Sequence, residues 1–168
     1  MRYDFFVTVW GWHFVRKFID LSLFSQLAGG NIPALADDAE IHYHIYTDRI
    51  SRSFFESSLL ELSKYAEIKF YYFDEIPYLY GTLDQAILNS NSEVIKHNVQ
   101  RVTSNHMLSG LKESAAVLLD SDFIMTDGSL SRMHALRKEG CQAVMVPLLR
   151  LNETSAKSVL YENQDFYL

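Results

Sequence analysis

Two aspartates, Asp120 and Asp122, are the residues of this sequence whose type and spacing most directly suggest chemistry. They follow the apolar run AAVLL (115–119), which predicts a short buried strand. Because one residue separates them, both carboxylates leave this strand on the same side. Paired hard oxygen ligands suit Mg²⁺ or Mn²⁺, usually together with substrate phosphates and water. The pair predicts a divalent-cation site; the alternative is two solvated acids in a loop.

A regular alternation of strands and helices must position this pair. Aromatic and β-branched residues predict strands at 3–10, 41–47, 68–73, 115–119 and 143–147. Helical spacing of apolar residues predicts helices at 13–27, at 90–107 and at 129–138. A further helix is predicted to start at a capping box formed by Ser53 and Glu56. This order predicts an α/β fold, a doubly wound and mostly parallel sheet with helices on both faces. Ligands of such sheets bind beyond the carboxyl ends of the strands.

Other candidate residues lie at the same predicted edge. Thr8 and Trp10 come at the end of the first strand, and Asp48 follows the second. An aromatic ring there could stack on a base, and an aspartate could accept hydrogen bonds from a base or a ribose. The alternatives are a core position for Trp10 and the start of a helix or a turn for Asp48.

Polar side chains also recur on two of the predicted elements. His97, Arg101 and Asn105 form one stripe on the long helix, where Arg101 could pair with phosphate and Asn105 could bind sugar or phosphate. A solvated helix face is the alternative, and for His97 the preferred one. His42 and His44 share one face of a strand with no acidic or cysteine partner near in sequence. We therefore expect them to be half-buried structural histidines and not a zinc site.

Composition sets the class of protein. The chain has 168 residues, of which 48% are hydrophobic and 21% charged, as expected for one globular domain over 1–168. Its net charge of -6 argues against broad nucleic-acid binding. A single cysteine, Cys141, excludes an intramolecular disulfide and fits a reducing compartment. With no signal peptide and no apolar run near the ~20 residues of a transmembrane segment, we expect a cytoplasmic protein.

Taken together, three segments resemble the N-terminal half of a GT-A-type, nucleotide-sugar-dependent glycosyltransferase. They are the opening strand FFVTVW, the pair Thr47-Asp48 and the segment AAVLLDSDFIMTDGSL. The resemblance implies a Rossmann-like donor-binding domain that takes a UDP- or GDP-linked sugar with Mn²⁺ or Mg²⁺ and transfers the sugar to an acceptor hydroxyl. It implies metal ligation by Asp120 and Asp122.

The same resemblance assigns roles to the remaining candidates. It implies contacts of the Asp120-Ser121-Asp122 segment with the nucleotide diphosphate and ribose. It places the base near Thr8, Trp10 and Asp48, and the donor sugar or phosphate near Arg101 and Asn105.

The 46 residues after Asp122 are fewer than this family generally uses for its acceptor pocket and catalytic base. We therefore expect the chain to be a truncated fragment or the donor-binding half of a larger enzyme.

A non-catalytic scaffold domain of the same fold is the main alternative. A haloacid-dehalogenase-like phosphohydrolase fits less well, because Ile124 stands where that family has Thr or Val and because the motif comes late in the chain. A sugar-nucleotide pyrophosphorylase would need a basic, glycine-rich loop, and VTVWGWHF has one glycine.

Overall fold

A computed structural model describes residues 1–55, 58–72, 92–110, 114–145 and 154 of the chain. None of the helices in these ranges combines the length and apolar character needed to cross a membrane. The helices and strands are, in chain order, β1 (Arg2–Thr8), α1 (Trp12–Lys17), a π-helical stretch (Phe18–Leu23), α2 (Phe24–Gln26), α3 (Ile32–Ala36), β2 (Glu40–Thr47), α4 (Arg49–Arg52), two 3₁₀ turns (Ser53–Phe55 and Leu62–Lys64), β3 (Glu67–Tyr72), α5 (Ser92–Gly110), β4 (Ala115–Asp120) and α6 (Ser129–Lys138).

The four strands form one parallel sheet in the order β3-β2-β1-β4. The predicted α/β architecture with a parallel sheet is therefore confirmed. β1 lies in the middle, where Phe5 is the register partner of Tyr43 in β2 and of Val117 in β4. Because side chains alternate between the two faces of a strand, these pairings decide which residues share a face.

One face of the sheet carries the main core. Tyr3, Phe5 and Val7 of β1 point into it and are buried, and the Phe5 and Tyr43 rings stack with centroids 5.6 Å apart. The layer that covers this face comes from α1, the π-helical stretch, α3 and α6, and its buried residues are Val15, Phe18, Leu23, Ile32, Leu35 and Leu130.

The opposite face is more polar and is covered by α5. Phe6 and Tyr46 pack there against Val99, which is fully buried, and against Met107. Helices thus cover both faces of the sheet, as predicted. The rest of this face carries the side chains of Asp4, His42 and His44.

A buried asparagine fastens the segment after β4 to the helical layer. The Asn31 side-chain amide donates to the Ser25 carbonyl (2.8 Å) and the Thr126 carbonyl (3.1 Å), and its oxygen accepts from the Leu130 amide (3.0 Å). The Ser25 hydroxyl accepts from the Met125 amide at 2.9 Å. Buried polar groups of this kind are satisfied only in one arrangement, so they fix the course of the chain beyond β4.

One predicted helix boundary is wrong, and one short helix was not predicted. The helix expected from Ser53 begins instead after Asp48, whose carboxylate accepts from the Ser51 amide, and Ser53 stands at its C-terminal end. Glu56, the other half of the predicted capping box, lies outside the described residues. Gly29-Gly30 predicted only the end of a helix, but a further short helix, α3, starts at Ile32 with Pro33 in its first turn.

Two strand predictions also need correction. The run AAVLL is not buried throughout, because β4 is an edge strand and Leu118 is 60% exposed. The fifth strand predicted at 143–147 is absent from residues 143–145, and residues 146–147 lie outside the described part of the chain.

Gly30 lies close to Asp127 and Gly128, and we therefore expect Gly30→Ala to destabilise the fold. A Cβ at Gly30 would lie 2.7 Å from Asp127 Oδ1 and 2.7 Å from the Gly128 backbone nitrogen. The backbone must therefore move, and we expect a loss of about 1–3 kcal/mol in the free energy of unfolding, measured with urea. Gly29→Ala is the matched control, since nothing lies within 4 Å of the added methyl group. Equal stability of the two variants would contradict the observed packing.

The pH dependence of stability should report the contact between α6 and the loop after α3. Hydrogen bonds from Lys138 and from His134 Nε2 (3.0 Å) lower the pKa of Asp38 from 3.8 to about 2. A carboxyl group whose pKa is lower in the folded state stabilises the fold above its unfolded pKa. That contribution is lost as the pH falls from about 4 to about 2.

We therefore expect Asp38→Asn to lose less stability than the wild type across this interval, when urea midpoints are compared at successive pH values. Asp37→Asn changes an exposed neighbour that forms no ion pair with the described residues, and it should follow the wild type. Identical acid profiles for Asp38→Asn and the wild type would refute the assignment.

Candidate functional site

Three strands end side by side at the carboxyl edge of the sheet. β1 ends at Thr8, β2 at Thr47 and β4 at Asp120. In the register of the sheet Thr8 is the partner of Tyr46 on one side and of Asp120 on the other. The structure thus places Thr8 and Asp120, two of the predicted site residues, on neighbouring strands about 4.8 Å apart.

The strand order reverses at this point. The chain passes from β1 outward to β2 and β3, and then returns to form β4 on the other side of β1. In open parallel sheets such a reversal opens a crevice at the carboxyl ends, and ligands bind in that crevice. This rule expects a ligand between the ends of β1 and β4, the strands that end at Thr8 and Asp120.

Asp120 and Asp122 are both exposed at the tip of β4. A tight turn holds them, since the Phe123 amide donates to the Asp120 carbonyl at 3.2 Å. Within the described part of the chain, neither carboxylate forms a hydrogen bond or an ion pair with a side chain. Ser121 lies between them and is partly buried. Both acids are therefore available to a cation, which is what the predicted metal site requires.

The segment after these acids is held in place by the helical layer. Phe123 and Met125 pack against the main core, and the amide of Met125 is bonded to Ser25. Further along, the Asp127 carboxylate accepts from the Gly30 amide at 2.6 Å. The turn that carries Asp120 and Asp122 is thus supported by ordered neighbours on its C-terminal side, which favours a preformed site.

Asp48 is the cap of α4 and links two loops of this edge. Its two oxygens accept from the amide (2.7 Å) and the hydroxyl (2.8 Å) of Ser51. The Ser51 hydroxyl accepts in turn from the amide of Gly11, in the loop after β1, at 2.8 Å. Gly11 has a φ of 77°, a left-handed conformation that favours glycine. The structure places Asp48 at the start of a helix, as the structural alternative for this residue predicted. From there Asp48 positions, through Ser51, the loop that follows Trp10.

The other predicted residues surround the edge less closely. Trp10 is half-buried and packs against the cluster of Phe6 and Tyr46, so part of its ring belongs to the core. Arg101 and Asn105 are exposed on α5, and no contact joins them to Asp120 or Asp122 among the described side chains. His97, on the same stripe, is exposed, as expected for a solvated helix face.

Sequence reasoning missed a second polar cluster, on the α5 side of the sheet. His44 Nε2 lies 2.9 Å from Asp4 Oδ1, and His42 Nδ1 lies 3.7 Å from the same oxygen. The acidic partner of the two histidines therefore comes from the neighbouring strand, nearly forty residues earlier in the chain. The signal for it was a charged residue inside the aromatic strand β1, where a buried carboxylate needs a partner.

The electrostatics of this cluster keep a carboxylate next to neutral imidazoles. Burial opposes ionisation of Asp4, but hydrogen bonds from Ser114 and His44 and the charge of Arg2 outweigh burial and lower its pKa. Burial lowers the pKa of His44 despite its bond to Asp4, and it also lowers the pKa of His106 nearby. Burial therefore favours the uncharged form of both rings, in which one nitrogen donates and the other accepts or binds a metal.

Replacing Asp48 tests its structural role. Asp48→Ala removes the acceptor of the Ser51 amide at the start of α4, so we expect it to lower the free energy of unfolding by about 1 kcal/mol in urea denaturation. Asp48→Asn keeps a capping oxygen and should retain most of this stability. If alanine were tolerated as well as asparagine, the observed cap would not contribute to stability.

No protein family, curated protein or solved structure matches this chain. The geometry of the carboxyl edge, with its two exposed acids at the strand-order reversal, is the basis for assigning a function.

Proposed function

We propose that this chain is the donor-binding domain of a metal-dependent glycosyltransferase with a GT-A-type fold. In this proposal Asp120 and Asp122 hold Mn²⁺ or Mg²⁺, and the cation binds the diphosphate of a UDP- or GDP-linked sugar. The sugar is transferred to the hydroxyl group of an acceptor. The lone, exposed Cys141 agrees with action in the reducing cytoplasm.

One observation carries this proposal. Asp120 and Asp122 are exposed, have no partner among the described side chains, and lie where the strand order of a parallel sheet reverses. Asp48 and Asp38, in contrast, are engaged in a helix cap and in an ion pair with Lys138. Asp120 and Asp122 lie at the end of β4, beside which the rule for parallel sheets expects a ligand to bind.

The charge of the protein makes a cation necessary for this ligand. The chain carries a net charge of -6, and a nucleoside diphosphate is itself an anion. Two carboxylates at the crevice would repel it. When bound between them, Mn²⁺ or Mg²⁺ neutralises the diphosphate and stabilises the departing nucleotide as a Lewis acid. The hard oxygen donors of Asp120 and Asp122 fit these two ions.

The neighbouring residues have separate tasks in this scheme. The hydroxyl of Ser121 supplies hydrogen bonds to phosphate or ribose, and that of Thr8, next to Asp120, supplies one to the base. Trp10 presents the exposed part of its ring to a base. Asp48 acts as a positioning residue, since its bonds to Ser51 set the loop after β1. Arg101 and Asn105 are exposed on α5, and in this scheme they contact the sugar or the phosphate from outside the crevice.

Thermal unfolding with metal and nucleotide tests the proposal. With Mn²⁺ and UDP or GDP at about 100 times the dissociation constant, bound ligand adds about 2.7 kcal/mol of stability. For a domain of this size we expect a rise of about 5–10 °C in Tm. The rise should require metal and nucleotide together, and Asp122→Asn and Asp120→Asn should each abolish it.

Asp37→Asn is the matched control for loss of one surface charge and should keep the full shift. If no nucleoside diphosphate raises Tm in the presence of Mn²⁺ or Mg²⁺, the fold is serving as a non-catalytic scaffold. A shift that persists in both aspartate variants would place the nucleotide elsewhere.

A further inference from the structure

The cluster of Asp4, His42 and His44 lies away from the carboxyl edge. Asp4 precedes Thr8 by four residues on β1, a separation of roughly 13 Å along a parallel strand. All three side chains project from the α5 side of the sheet, because Asp4 is the register partner of His42 and because His44 lies two residues further along β2. A ligand held by this cluster is therefore separate from one bound at Asp120 and Asp122.

The spacing of the three side chains suits a small coordination sphere. One carboxylate oxygen and two ring nitrogens lie within 4.8 Å of one another. In a tetrahedral zinc site with bonds of about 2.0–2.1 Å, neighbouring ligand atoms are about 3.3 Å apart. The distances from Asp4 Oδ1 to His44 Nε2 and His42 Nδ1, 2.9 and 3.7 Å, lie on either side of this value. The two ring nitrogens lie within 4.8 Å of each other, so the side chains would have to close around the ion.

The outer nitrogen of each histidine is already engaged. His42 Nε2 lies 2.7 Å from Glu40 Oε1 and 3.5 Å from Glu67 Oε2. When this nitrogen carries the proton and donates it to a carboxylate, Nδ1 presents its lone pair toward Asp4. A carboxylate behind a ligating imidazole is the usual outer partner in histidine metal sites, where it orients the ring and raises its basicity.

His44 Nε2 can give up its proton and bind a metal while Nδ1 keeps its hydrogen bond to Tyr71. Its Nε2 now faces the ionised Asp4, and its Nδ1 lies 3.2 Å from the Tyr71 hydroxyl. If the proton moves to Nδ1, this nitrogen donates a hydrogen bond to the Tyr71 oxygen, and the lone pair of Nε2 becomes available to a cation. The Tyr71 hydroxyl can either donate or accept, so both tautomers of His44 are satisfied.

The surrounding charges are net negative, which favours a cation, and Asp4 also accepts a hydrogen bond from Ser114. Arg2 Nε binds the other oxygen of Asp4, Oδ2, at 3.2 Å, and Lys69 binds Glu67 at 3.0 Å. Asp4, Glu40 and Glu67 supply three negative charges against the two positive charges of Arg2 and Lys69. His42 is the most accessible of the three ligands, with a side-chain exposure of 13%. It marks the side from which an ion would enter.

From this geometry we propose that Asp4, His42 and His44 bind a divalent transition metal of the zinc type. Two imidazole nitrogens and one carboxylate oxygen favour Zn²⁺ and similar ions over Mg²⁺ and Ca²⁺, which take oxygen ligands. Three protein ligands leave a coordination position for water or another molecule, in contrast to closed structural sites with four. The bound metal also links β1 to β2.

Calorimetric titration of the full chain with Zn²⁺, and optical titration with Co²⁺ as a spectroscopic substitute, test this site. We expect one ion per chain and a visible Co²⁺ absorption typical of four or five ligands. His42→Gln removes a ligand from the most exposed of the three positions and should weaken Zn²⁺ binding at least about tenfold. Asp4→Asn should do the same, with folding checked by circular dichroism.

Two controls separate this site from other sources of binding. His97→Gln removes an exposed histidine of α5 and should leave Zn²⁺ affinity unchanged. Combined Asp120→Asn and Asp122→Asn should also leave it unchanged, so failure of the proposed nucleotide site and failure of this one are distinguishable. For the wild type, ¹⁵N spectra of the imidazoles should show metal-induced shifts at two histidines, a readout that does not depend on any variant folding.

Absence of stoichiometric Zn²⁺ binding by the wild type would overturn the proposal. So would unchanged affinity in folded His42→Gln, or shifts confined to the exposed His13 and His97.

Discussion

The in-register parallel pairing of β1 with β2 and β4 is the constraint on which the rest of this structure depends. β1 alternates between Tyr3, Phe5 and Val7, which fill the main core, and Asp4, Phe6 and Thr8, which face α5. A slip of one residue would exchange the two sets and move Asp4 into the apolar core, where an unpaired charge is very costly. Burial of the aromatic set therefore fixes the register. The same register brings Thr8 beside Asp120 and Asp4 beside His42.

Local sequence patterns were sufficient to locate the four described strands and insufficient for the helix boundaries. The four strands that the structure describes lie where β-branched and aromatic runs predicted them, because such runs suit a sheet covered on both faces. At the start of α4 two capping signals compete, and only one is used. Asp48 bonds to the Ser51 amide, while the hydroxyl of Ser53 donates back to the Ile50 carbonyl at 2.9 Å. The pattern Ser-x-x-Glu alone does not show which capping signal is used, because the start of the helix depends on the residue at which β2 ends.

The two polar groups of the sheet were not equally visible in the sequence. The position of Asp120 and Asp122 could be predicted because the carboxyl ends of parallel strands meet at one edge whatever the register. The cluster around Asp4 could not, because it requires knowing that residue 4 faces residue 42 across two strands. Histidines that alternate on a strand carry no information about their partner until that pairing is known. The expectation that no acidic partner lies near His42 and His44 in sequence was wrong, because Glu40 bonds to His42 from two residues away. Asp4, the acidic neighbour that both histidines share, comes from β1.

The two groups differ in ways that imply different uses for a cation. Asp120 and Asp122 offer oxygen ligands at an exposed tip with no other partner among the described residues, so an ion held there would keep most of its coordination sphere for phosphate oxygens. Asp4 and His44 are buried, each only 5% exposed, and an ion there would be surrounded mainly by protein. Burying a carboxylate in this way gains little stability by itself, even when it is hydrogen-bonded, because desolvation offsets most of the attraction. A bound metal would supply a charge that compensates this cost. We therefore interpret the buried group as the place for a resident metal and the exposed pair as the place for one that arrives with its ligand.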